Sequence, residues 1–175
     1  MPDVRVVIQP RKARPLFARH PWVFAGSIAH VEGKPGPGDE VAVVSHEGAF
    51  IGRGLFNPHS AIRVRLYRWD DEPLDEAFWR GRIEAALRLR RDILHLDRPG
   101  EACRLVNSEG DGLSGLTVDR YDRWLVAQFT SLALFQRREA FLSLLMEVTG
   151  AEGVLLRTER GIGEREGLKL EPQTN

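Results

Sequence analysis

Two stretches in the first seventy residues carry the residue types most able to do chemistry: Arg19-His-Pro-Trp-Val-Phe24 and Gly52-Arg-Gly-Leu-Phe-Asn-Pro-His-Ser-Ala-Ile-Arg-Val-Arg65. Each sets cations, aromatics and turn formers within a few positions of one another. Arginine brings a permanent charge on a planar fork that matches phosphate. An aromatic face stacks on a base, and His-Pro or Asn-Pro corners hold such groups on turns. That mixture suits binding of a structured RNA better than conversion of a metabolite. Arg19, Arg53, Arg63 and Arg65 are the phosphate candidates. Trp22, His20 and His59 are the candidates for stacking or for shaping the loops, with Asn57 at the turn between them.

The elements that must position these groups read as short strands. Val4 to Ile8 is rich in β-branched residues and closes at Pro10, and Arg14 to Ala18 suits a brief helix with Pro15 in its first turn. Val31 to Gly38 is dense in glycine and proline and reads as turns. Strands are expected over Asp39 to Ser45, Ala49 to Phe56 and Ala61 to Trp69, an arrangement that fits a small β-barrel. In the last of these, alternation puts Ile62, Val64 and Leu66 on one face and Arg63, Arg65, Tyr67 and Trp69 on the other. The apolar face belongs to the core. The basic-aromatic face either meets RNA or packs against a second domain, because alternation fixes a face and not its partner.

Asp70-Asp-Glu-Pro73 marks a boundary. Beyond it the period changes, and Asp75 suits the N-cap of a helix running to about Leu94. Trp79, Ile83, Ala86, Leu87, Ile93 and Leu94 fall on its expected inner face. Strands follow over Cys103 to Asn107, Leu116 to Tyr121 and Trp124 to Thr130, with Asp122-Arg123 as a tight hairpin turn. A second helix is expected from Leu134 to Val148, stopped by Gly150, and then a strand from Gly153 to Thr158. The order is that of a small α+β domain. The domains are thus expected at 1–70 and 71–160, with a polar tail over 161–175.

Other candidate chemistry is weaker. Cys103 starts an apolar strand, and a thiol there is a structural residue rather than a nucleophile, which needs exposure and a lowered pKa. Asn107-Ser-Glu-Gly-Asp-Gly112 lacks the alternating ligands of a calcium loop. Gly161-Ile-Gly163 has too little chain after it for a nucleotide fingerprint. The five histidines show no metal-ligand spacing.

The charge is split along the chain. The sequence holds 25 Lys/Arg and 25 Asp/Glu. Residues 1–69 hold ten cations against five carboxylates, which leaves the remainder acidic. A polyanion is therefore expected to face the first part only. No apolar run reaches the ~20 residues of a membrane span. One cysteine allows no internal disulfide, which fits a reducing cytoplasm.

These residues resemble the N-terminal half of the PUA-containing 23S ribosomal RNA cytosine-5 methyltransferases. The resemblance rests on Arg19 to Gly26, on Gly52 to Arg65, and above all on Arg104-Leu-Val-Asn-Ser-Glu-Gly-Asp-Gly-Leu-Ser-Gly-Leu-Thr-Val-Asp-Arg-Tyr121 continuing into Trp124-Leu-Val-Ala-Gln128. Arg157 and Glu164-Arg-Glu-Gly-Leu168 fit the same pattern. It implies a PUA-like RNA-binding barrel, a linker domain, and structured RNA, namely 23S rRNA, as partner. The family's cofactor loop, acidic ribose ligand and cysteine nucleophile lie in a later domain that uses S-adenosylmethionine. The expected fold class is therefore mixed: a small PUA-like β-barrel, then an α+β domain, with no Rossmann-like methyltransferase domain in this chain. The expected function is the RNA-recognition and positioning half of such an enzyme, truncated, binding no cofactor and inactive alone. The alternative is a stand-alone RNA-binding or assembly module; a purely structural interaction module is a third reading, and a homodimer remains open.

Overall fold

The computed structural model describes residues 4–157 and 166–167. The chain divides into two compact units, Met1–Asp75 and Glu76–Asn175. The first contains β1 (Arg5–Ile8), α1 (Arg14–Phe17), β2 (Trp22–Phe24), β3 (Ile28–Glu32), β4 (Glu40–Val44), β5 (Phe50–Phe56) and β6 (Ile62–Arg68). The strands form one sheet in the order β2-β6-β5-β4-β1-β3. Only β1 and β4 run parallel.

The two edges of this sheet, β2 and β3, are neighbours in sequence, joined by a 3-10 turn over Ala25–Ser27. Four Cα steps can span at most ~15 Å, so the sheet must curl until its edges approach. The strand order still ends at β2 and β3 without a ladder between them. The small barrel expected from the sequence is thus a curled six-stranded sheet, with the three-residue β2 paired to β6 on one side only. Neither β2 nor β3 is legible as a strand in the sequence, and β3 takes Val31 and Glu32 from the expected turn region.

Alternation fills the curl. Val6 and Ile8, Val41 and Val43, Val64 and Leu66, together with Leu16, Val23 and Ile51, make the core of this unit. Two glycines of β5 let β6 close on it. A Cβ on Gly54 would lie 2.3 Å from the Arg65 carbonyl oxygen, and one on Gly52 would lie 2.4 Å from that of Arg68. The ladder between β5 and β6 slips at this place, between Arg53 and Gly54.

The second unit contains α2 (Glu76–Arg88), β7 (Ala102–Asn107), β8 (Leu116–Tyr121), β9 (Trp124–Phe129), α3 (Leu132–Gln136), α4 (Arg138–Thr149) and β10 (Gly153–Arg157). Its sheet runs β10-β9-β8-β7, with β10 parallel to β9. Leu105, Val118, Leu125, Phe129, Ile83 and Leu145 are buried. Trp79 and Phe129 each meet Phe141 edge-on, at 5.3 and 6.2 Å between ring centroids.

Two helix expectations need correction here. Ile93 and Leu94 are 64% and 49% exposed rather than on the inner face. The α-helix passes into a π-helical turn over Leu89–Ile93, where Leu94 N–H donates to the Leu89 carbonyl. The extra residue per turn advances the phase and swings both side chains outward. The expected helix from Leu134 to Val148 is two helices, broken at Arg137, whose N–H donates to the Leu134 carbonyl. Thr158, the Gly161-Ile-Gly163 stretch and the 161–175 tail, apart from Glu166 and Gly167, lie outside the described residues. Among the described residues no helix is long and apolar enough to cross a membrane.

Candidate nucleic-acid interface

The first corner is built by α1 and β2. The helix ends on Arg19, whose φ of +66° is left-handed, and the N–H groups of Arg19 and His20 return to the carbonyls of Leu16 and Pro15. This C-terminal turn leaves Arg19 and His20 exposed. The Arg19 guanidinium lies 6.0 Å from the Trp69 ring centroid. Trp69 is anchored in turn by its indole N–H, which donates to the Leu16 carbonyl at 3.1 Å. His20 Nδ1 accepts the Trp22 N–H at 3.2 Å, so a neutral ring carries its proton on Nε2, on the far side. The rings of His20, Trp22 and Phe24 then follow one another, 5.9 Å from His20 to Trp22 and 6.2 Å from Trp22 to Phe24.

The second corner is the turn between β5 and β6. Asn57 is buried, and its Oδ1 accepts the His59 N–H at 3.0 Å. Ser60 Oγ accepts the Ile62 N–H at 3.1 Å. The Arg63 guanidinium donates to the Asn57 and Pro58 carbonyls. Asn57, Ser60 and Arg63 thereby hold the loop that presents His59, whose side is exposed. The corners share one edge of the sheet, since Phe24 opposes Ile62 and Ala25 N–H donates to the Ala61 carbonyl.

Arg53 and Arg65 stand apart from both exposed groups. Arg53 is held by two carboxylates, Asp71 at 2.7 Å and Glu40 at 3.4 Å. Arg65 is only 7% exposed, opposes Trp22 across the β2–β6 ladder, and places its guanidinium 5.9 Å from that ring. Tyr67, on the same strand face, is fully buried. The structure therefore brings Arg19, His20 and Trp22 together and sets His59 on the neighbouring loop.

Sequence reasoning missed part of this surface. Phe17 and Phe24 are 51% and 44% exposed. Arg11, Lys12 and Arg14 lie exposed just before them. A signal was present: from Val4 to Val31 there are five Lys/Arg and no carboxylate. In the second unit the weaker candidates have structural partners. Burial raises the Cys103 thiol pKa above its ordinary value, with Asp97 adding to the rise. Asp111 pairs with Arg90 and accepts the Asn107 N–H, and Glu109 accepts the Ser114 hydroxyl. No group of three metal-ligating side chains occurs among the described residues.

Residues 6–69 match the PUA-like domain family. The first unit carries a PUA-like domain. Over 169 residues the chain is 34% identical to the ribosomal RNA large subunit methyltransferase I of Escherichia coli O127:H6 and to that of Enterobacter sp. strain 638. Each alignment covers 96% of this chain and 42% of the relative, so the chain spans less than half the length of these curated relatives. A solved structure from Streptococcus mutans, assigned as a SAM-dependent methyltransferase, matches with a TM-score of 0.75 at 15% identity, over 88% of this chain and 40% of that one. A second, assigned as a methyltransferase and complexed with SAH, matches with a TM-score of 0.76 at 14% identity, over 90% and 41%. At such identities the likeness shows the fold. It corrects the expected fold class, which separates this chain from any methyltransferase fold: most of the chain superposes on chains of that kind, and the separation does not stand.

Proposed function

We propose that this chain provides RNA recognition within a large-subunit rRNA methyltransferase, with its PUA-like unit gripping a structured segment of 23S rRNA. The observation that carries the reading is the α1–β2 corner, where exposed Arg11, Lys12, Arg14 and Arg19 flank exposed Phe17, His20 and Phe24 with no carboxylate between Val4 and Val31. Cations of that kind neutralise phosphates and set the register, while the rings stack on unpaired bases. In this reading Arg19, His20, Trp22 and His59 touch RNA, and Asn57, Arg63 and Arg65 hold the surface that presents them. Arg53 reaches RNA only by exchanging a carboxylate for a phosphate.

The relatives' name makes transfer of a methyl group to rRNA the activity proposed for the whole protein, and the resemblance specifies cytosine C5 and S-adenosylmethionine. That cofactor supplies the methyl group when bound.

The test is an anisotropy titration of a folded 23S rRNA fragment at several KCl concentrations. Lys12→Glu, Arg14→Glu and Arg19→Glu together are expected to weaken binding at least ~10-fold at 0.1 M KCl. They should also flatten the slope of log K against log[KCl] by about 2 to 3, since each phosphate contact contributes ~0.9. An unchanged slope removes the corner from the interface.

A further inference from the structure

The second unit is close to charge balance, with 16 Asp/Glu against 15 Lys/Arg, and it contains a cavity of about 350 Å³ lined by four arginines, Arg91, Arg98, Arg120 and Arg123, with Asp97 and Asp122. Its floor is Asp97, whose side chain is 4% exposed. Arg91 Nε donates to Asp97 Oδ2 at 2.6 Å, and Arg120 Nη1 donates to both carboxylate oxygens at 2.9 and 3.2 Å. Two guanidiniums thus share one carboxylate, which leaves the floor with one uncompensated positive charge.

The four arginines differ in what they have left to offer. Arg120 also donates to the Thr149 and Asp122 carbonyls, so it is spent on structure. Arg91 has only its Nε engaged, and its two terminal nitrogens have no partner among the described residues. At the rim, Arg98 donates Nε to the His95 carbonyl and stands 4.0 Å from Glu101. Arg123 meets Glu152 at 3.0 Å and Asp122 at 3.5 Å. Those rim pairs are all more than half exposed. Exposed pairs contribute little to stability, so a phosphate can displace Glu101 and Glu152 at small cost. The mouth sits beside the Asp122-Arg123 turn of the β8–β9 hairpin.

We propose that this cavity binds a phosphodiester group of the RNA backbone, with Arg91, Arg98 and Arg123 as ligands and Asp97 and Arg120 as positioning residues. It is a second RNA anchor, in the second unit. The inference rests on the RNA-binding reading above and adds to it a site outside the PUA-like unit. Phosphate is also the chemistry of a small phosphorylated metabolite, and the experiment separates the two sources.

The whole chain and its Arg98→Gln/Arg123→Gln variant are titrated with the rRNA fragment at several KCl concentrations, and with inorganic pyrophosphate by calorimetry. Both residues are exposed, and a matching thermal melt verifies the fold of the variant. The expected result is a ~3- to 10-fold loss of RNA affinity at 0.1 M KCl and a salt slope reduced by about 1 to 2. Unchanged affinity and slope, with wild-type RNA binding intact, overturn the site and leave the PUA-like corner standing. Pyrophosphate binding by a chain that binds no RNA overturns the RNA source and fails the broader reading as well. If Glu152→Gln, which frees Arg123, weakens RNA binding instead of tightening it about twofold, the ligand role of Arg123 is refuted.

Discussion

The α1–β2 corner and the second unit use arginine in opposite ways. In the corner, Arg11, Lys12, Arg14 and Arg19 form no ion pair among the described residues, and the nearby rings are exposed. In the second unit Arg80 grips Glu147 through two bonds of 2.9 Å, Arg104 grips Asp119 at 2.7 and 3.0 Å, and Arg90 meets Asp111 at 2.5 Å. An arginine already holding a carboxylate has little to offer a phosphate unless the carboxylate is itself replaceable. Net charge per domain therefore locates a polyanion site only coarsely. What decides is which cations have terminal nitrogens left over, and by that measure the described part of the second unit is mostly self-satisfied, with exposed Arg88 and the Arg91 cavity as exceptions.

The largest effect expected from breaking this contrast is on stability, in the second unit. Asp111 is 5% exposed at the side chain, takes the Arg90 guanidinium, and accepts the Asn107 N–H at 2.6 Å. Asp111→Ala takes the carboxylate from a guanidinium that is itself 11% exposed and leaves it only the Ala86 and Arg104 carbonyls. Leaving one member of a buried pair alone costs about 3–5 kcal/mol, which urea unfolding of the second unit will register. The triple charge reversal in the corner breaks no ion pair among the described residues and touches only exposed groups, with Arg19 losing its contact to the Trp69 ring, so the urea midpoint of the first unit should move far less. Equal stability losses from the two changes would erase the distinction between structural and available cations.

The same distinction explains what could be read from the residues alone. Strand β8 and the Asp122-Arg123 turn are legible because buried Leu116 and Val118 alternate with Thr117 and Asp119 ahead of a two-residue corner, a local pattern. The Gly52 and Gly54 pair signals a tight place, though only the pairing with β6 says that the obstacles are the Arg68 and Arg65 carbonyls. Strand β2 has three residues and exists because β6 lies beside it, so nothing local announces it. The π turn after Arg88 carries no residue signature and reverses the fate of Ile93 and Leu94. At the site, Arg19, Arg53, Arg63 and Arg65 are equivalent as letters. They separate only when Glu40, Asp71, the Asn57 carbonyl and the Trp22 ring are brought to them by distant strands.

A smaller effect is expected from the rings of the corner, and it differs in kind from that of its charges. Phe24 is 44% exposed at the end of the His20–Trp22–Phe24 series. Loss of a ring that stacks on a base costs about 1–3 kcal/mol, or roughly 5- to 150-fold in affinity. Phe24→Ala should weaken rRNA binding within that range while leaving the salt slope as it is in the unmodified chain, because no counterion is released by stacking. A change in slope without a change in affinity at high salt would make Phe24 a support for Arg19 rather than a contact.

The smallest effect lies in the exposed pair that best represents the second unit. The bidentate hydrogen bonds from Arg80 hold the Glu147 carboxyl below the usual carboxylate range. A carboxylate whose pKa is lowered by folding contributes stability that is complete above its unfolded-state pKa and disappears as pH falls through the folded-state value. Arg80→Gln should therefore return the Glu147 midpoint upward in an NMR titration and make the acid side of the stability profile slightly shallower, with nothing altered at pH 7 in RNA affinity. Were the substitution to change RNA binding at neutral pH, Arg80 would belong with the available cations, and the division between a corner that offers its charges and a unit that consumes them would have to be redrawn around α2.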